Sequence, residues 1–63
     1  MTAEELKELR HSLCLTQTAM GLRLGIGLRM YQLCESGQKP LSRASAMLAE
    51  NLKLQVDAQT LTS

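Results

Sequence analysis

Apolar residues recur along this chain at the spacing of helices rather than strands. Leu6, Leu9 and Leu13 stand at i, i+3 and i+7 and form one narrow stripe, so a first helix is expected from about 3 to 13. It opens on Thr2-Ala3-Glu4-Glu5, a capping-box pattern in which the Thr hydroxyl and a Glu carboxylate each satisfy an orphan backbone N–H. Arg10 falls only about 40° from Leu6 on the same wheel, which sets a guanidinium beside the core and calls for an acidic partner. The chain restarts at Leu15-Thr16-Gln17, with Thr16 as N-cap and Gln17 in the first turn of a second helix. Met20 and Leu24 give that helix its buried side, and Gly25 supplies a left-handed stop.

Ile26 and Gly27 leave room only for a tight turn before a third helical pattern from about 28 to 36, ended by Gly37. Two short helices joined this way are a helix-turn-helix in outline, spanning about 17 to 36. The third helix sorts its residues sharply. Leu28, Arg29, Gln32 and Leu33 share one sector, with Met30, Tyr31 and Cys34 on the opposite, core-facing side. Ser42 caps a fourth helix whose core face is expected to be Ala44, Met47, Leu48, Asn51 and Leu52. The tail, about 55 to 63, reads either as a short fifth helix or as a frayed end.

Composition narrows the function. With 63 residues, 44% hydrophobic and 21% charged, the chain is expected to be one globular domain over 1–63 rather than a disordered one. No apolar run approaches a membrane span and the first residues are acidic where a secretory signal is basic, so a cytoplasmic protein without membrane contact is expected. A single aromatic, Tyr31, and a lone His11 offer little to a substrate pocket or a general base, which argues against an enzyme. Cys14 and Cys34 are expected to be reduced core thiols; His11 and Cys14 alone are too few ligands for zinc, and no cofactor is expected. The net charge of +1 hides a segregation: between residues 10 and 43, Arg10, Arg23, Arg29, Lys39 and Arg43 face Glu35 alone. A basic centre of this kind suits a polyanion, because phosphate binding follows local potential rather than total charge.

Leu13-Cys14-Leu15-Thr16-Gln17, then Leu24-Gly25-Ile26, then Tyr31 to Gly37 resemble the helix-turn-helix of the λ-repressor-like family of phage repressors, Cro proteins and xenobiotic-response-element regulators. The likeness covers roughly residues 4 to 52. It implies a compact all-α bundle of four or five helices that binds double-stranded DNA. It also implies that Thr16 and Gln17 meet phosphate at the start of the second helix, and that Arg10 pairs with Glu35 inside the domain. From Gly27 onward, Leu28, Arg29, Gln32 and Leu33 would enter the groove, with Lys39, Ser42 and Arg43 on the backbone beyond. Arg suits guanine, Gln suits adenine, and Leu can meet thymine methyl groups.

Four positions depart from the family's pattern. Cys14 stands where a glycine with positive φ is usual, Gly27 replaces a capping Ser or Thr, Cys34 stands where a bulky core residue is common, and Leu22 takes a position that is usually polar. Together these features lead to a sequence-specific regulator, most simply a small homodimeric repressor of a phage, plasmid or mobile-element operon, acting on a palindromic operator. Leu54, Val56 and Leu61 are its candidate dimer contacts. The alternative is a protein-interaction module, such as an antitoxin or adaptor, that docks a protein partner through Leu22, Leu28 and Leu33.

Overall fold

In the computed structural model the chain is all-helical, with four helices in the order α1 (Ala3–Ser12), α2 (Gln17–Arg23), α3 (Leu28–Glu35) and α4 (Arg43–Thr62). The structure describes residues 1–62, and side chains through residue 58. Each start is set by a local cap. Thr2 and Glu5 complete the reciprocal capping box of α1, and the Thr16 hydroxyl accepts the Ala19 N–H at 3.2 Å. Gly27 occupies the N-cap of α3 without a side-chain bond. The Ser42 hydroxyl accepts the Ser45 N–H at 3.3 Å where α4 begins.

Leu6 and Leu9 from α1, Met20 and Leu24 from the α2 region, Tyr31 and Cys34 from α3 and Ala49 from α4 make the buried core. Leu13, Leu15, Ile26, Leu41, Leu52 and Val56 pack around it. On the outside, Lys53 reaches Glu5 at 3.2 Å and ties α4 to α1, an exposed pair that adds little to stability. Among the described residues no helix is long and apolar enough to cross a membrane.

The structure corrects four expectations. The core face of α4 is Ser45, Ala49, Leu52 and Val56, whereas Ala44, Met47, Leu48 and Asn51 face outward. Ser45 and Ala49 let this end of α4 approach α2 closely, and the Ser45 hydroxyl donates to the Leu24 carbonyl at 2.9 Å, closing an orphan acceptor at the end of α2. There is no separate fifth helix among the described residues, since α4 runs unbroken to Thr62. Met30 is exposed rather than buried with Tyr31 and Cys34. Both cysteines are free, yet only Cys34 is a core thiol. Cys14 sits at φ 56°, and this left-handed turn carries its side chain out to solvent.

Candidate nucleic-acid interface

The joint between α2 and α3 depends on glycine at two places. Gly25 adopts φ 73°, which ends α2 within one residue. Gly21 is buried inside α2, where its carbonyl accepts the Ile26 N–H at 2.9 Å. A Cβ there would stand 3.0 Å from the Ile26 carbonyl oxygen and 3.4 Å from the Tyr31 Cβ. The missing side chain lets the turn and α3 close directly on α2. Sequence reasoning passed over Gly21, although a glycine within a helical pattern is itself a sign of close backbone approach.

A chain of polar contacts crosses this joint. The Arg10 guanidinium donates from Nε to Glu35 Oε2 at 2.9 Å and from Nη2 to Oε1 at 3.2 Å, a two-point fork, and Nη1 donates to the Leu15 carbonyl at 3.1 Å. Gln17 Nε2 donates to Glu35 Oε1 at 3.3 Å, and Gln32 Nε2 donates to Gln17 Oε1 at 3.2 Å. The pair is mostly withdrawn from water, with side chains 14% and 7% exposed for Arg10 and Glu35. Burial works against the Glu35 carboxylate, but the donors and charge of Arg10, with help from Gln17, hold its pKa below the ordinary value. Tyr31 lies beneath the pair. Burial first and the adjacent Glu35 second push its phenol pKa upward, and its hydroxyl makes no hydrogen bond of good geometry.

The direction of this chain is dictated by its anchor. A carboxylate only accepts, so Gln17 must turn its NH₂ toward Glu35, which leaves Gln17 Oε1 to accept from Gln32. Gln32 therefore keeps its own Oε1 and one N–H of its amide unengaged on the exposed side of α3. Leu28, Arg29 and Gln32 are exposed on that side, while Leu33 is half-buried. Arg29, Gln32, Leu33, Ser36 and Gln38 line a shallow open depression there.

Thr16 is exposed and its hydroxyl is engaged as the cap of α2. Gln17, expected at a phosphate, is instead half-buried and shared between Glu35 and Gln32. Gly27 and Lys39 lie exposed in the connections on either side of α3, and Ser42 and Arg43 lie exposed at the start of α4. Because Arg10 and Glu35 cancel each other, the basic excess of the centre rests on the exposed Arg23, Arg29, Lys39 and Arg43. Of the expected dimer contacts, Leu54 is exposed, Val56 packs against the core, and the Leu61 side chain lies outside the described residues. Val56 faces inward because it shares a stripe with Ala49 and Leu52. Among the described residues no group of three His, Cys, Asp or Glu could hold a metal ion. No family model, curated protein or solved structure matches this chain.

Proposed function

We propose that this chain is a λ-repressor-like, sequence-specific binder of double-stranded DNA, most simply a homodimeric repressor acting on its own operon. The observation that carries this reading is the chain Glu35–Gln17–Gln32, which orients one amide on the outer face of α3 beside Arg29. An outward carbonyl oxygen and N–H on one amide match the N6 donor and N7 acceptor of adenine in the major groove. The Arg29 guanidinium matches the O6 and N7 acceptors of guanine. Lys39 and Arg43 supply cations for the phosphates that flank such a groove; the Ser42 hydroxyl, expected there too, instead donates to Ser45 Oγ at 3.1 Å.

Gln17 acts in this reading as the brace of Gln32. Mapping protection of the DNA upstream of the protein's own gene tests the proposal. A bounded, symmetric footprint is expected, with log K falling against log salt at a slope of about −5 for roughly six phosphates per dimer. A flat salt dependence, or no binding to duplex at low salt, removes it.

The protein-interaction reading draws on the exposure of Leu22, at 76%, and of Leu28, at 42%. It differs in outcome: Leu22→Ala and Leu28→Ala would abolish partner binding and Arg29→Ala would leave it intact.

A further inference from the structure

Cys34 is buried beneath the connection from α3 to α4, and that connection is lightly held. The Gln38 and Lys39 N–H groups both donate to the Leu33 carbonyl, at 3.0 and 3.3 Å, and the Cys34 thiol donates to the Pro40 carbonyl at 3.8 Å, a weak bond. A side chain that ends one atom beyond its Cβ leaves space on both sides of the connection: about 240 Å³ toward Met1 and Leu6, and about 300 Å³ toward Met30. The larger space is an apolar cleft. Ile26, Met30, Cys34, Pro40 and Leu41 make its floor, and Lys39 and Ser42 make its rim. Its size stands at the small end of ligand pockets, which run from about 300 Å³ upward.

We propose that this cleft binds a small aryl carboxylate, with the ring on the floor and the anion on Lys39. The Met30 and Cys34 sulfurs favour an aromatic ring over a saturated one, because polarizable sulfur packs well against aromatic edges. The rim fixes the sign of the ligand's charge. Lys39 is exposed and has no ion pair among the described residues, and none of the described Asp or Glu residues lines the cleft. The Ser42 hydroxyl has already given its hydrogen to Ser45 Oγ at 3.1 Å, so the ammonium of Lys39 is the donor left to meet an anion. A neutral aryl compound would cover the floor and leave that charge unused.

The site stands on the cleft alone; its consequence rests on the DNA-binding reading. In that reading Lys39 meets a phosphate, and the bound carboxylate takes the same ammonium. Ligand and duplex then compete for one cation, which makes the aryl acid an effector that releases the protein from DNA.

Amide NMR titration of the full chain without DNA tests this, with phenylacetate, phenylacetamide and cyclohexylacetate as probes. Phenylacetate should give saturable shifts at Ile26, Met30, Cys34, Lys39, Leu41 and Ser42, and the other two should bind more weakly. Lys39→Ala should weaken phenylacetate about threefold, as the loss of an exposed ion pair does, and leave phenylacetamide unchanged. Cys34→Leu fills the cleft and should abolish binding. Met30→Ala, at a position 40% exposed where truncation spares the fold, should weaken all three probes at least about fivefold. The proposal is overturned by the lack of a saturable shift at millimolar phenylacetate, by shifts confined to other residues, by equal affinity for phenylacetate and either other probe, or by binding indifferent to Met30→Ala. Phenylacetate should also weaken duplex binding while phenylacetamide at equal occupancy does not; equal effects refute the competition. Uptake of the acid by a chain without affinity for duplex would remove the DNA-binding reading and leave this site standing. Selective duplex binding by a chain that takes up no acid would do the reverse.

Discussion

Replacing Arg10 with Met severs both arms of the fork to Glu35 and the bond to the Leu15 carbonyl, along with an exposed contact to His11 Nε2. Glu35, 7% exposed, is then left with Gln17 as its one remaining donor of good geometry. Stranding a buried charge costs roughly 3–5 kcal/mol, and the partial exposure of Arg10 places the loss near the low end, at about 3 kcal/mol. A chain of this length has a total stability of roughly 3–9 kcal/mol, so Arg10→Met should be only marginally folded at neutral pH. The joint replacement Arg10→Met with Glu35→Leu removes the stranded charge and should recover most of the loss.

The pH dependence carries a second signature. In the native protein Glu35 has a lowered pKa, so its contribution is complete above the ordinary value of 4.5 and disappears as pH falls through the folded-state value. In Arg10→Met, burial acts without the guanidinium and raises the Glu35 pKa, so acidification toward pH 5 should stabilise that variant. Urea denaturation followed by helical circular dichroism, across pH 3 to 7, measures both effects. Losses below about 1 kcal/mol that simply add in the double variant would show an exposed, weakly coupled pair and refute the reasoning.

Other sites give separate outcomes. Gly21→Ala gains helix propensity of about 1 kcal/mol but presses a Cβ to 3.0 Å from the Ile26 carbonyl; a net loss of about 1 kcal/mol in thermal or urea unfolding is expected. Cys14→Gly removes the left-handed strain of an exposed residue at φ 56° and should raise the melting temperature by a few degrees, about 1 kcal/mol. Ser45→Ala leaves the Leu24 carbonyl without its side-chain donor in the interior and should lower urea stability by about 1–2 kcal/mol.

Much of this fold is legible from short-range chemistry. The Thr2–Glu5 box, the Thr16 cap and the left-handed Gly25 each act within a few residues, so the sequence locates α1, α2 and α3 closely. The meeting of Arg10 with Glu35 is half legible, since the wheel sets Arg10 beside the core and so demands an acid without saying which. The faces of α4 are not legible. Both sides hold apolar residues, and the inward one, Ser45, Ala49, Leu52 and Val56, packs small side chains and a hydroxyl donor against the end of α2, which hydrophobicity alone does not single out. Gln17 bracing Gln32 is likewise invisible along the chain, because it depends on how α3 seats over α2 at Gly21. The outward Cys14 follows from backbone handedness, to which composition is blind.

The central claim is that the outer face of α3 reads base edges. Its most direct test is the affinity of the native chain and of Arg29→Ala and Lys39→Ala for the protected duplex and for a scrambled duplex of equal length, at several salt concentrations. Arg29→Ala should lose about 1–3 kcal/mol on the protected site alone and relax the preference at one base pair. Lys39→Ala should weaken both duplexes alike and reduce the salt slope by about 0.9 per lost phosphate contact. An unchanged ratio of specific to non-specific binding in Arg29→Ala would contradict the claim.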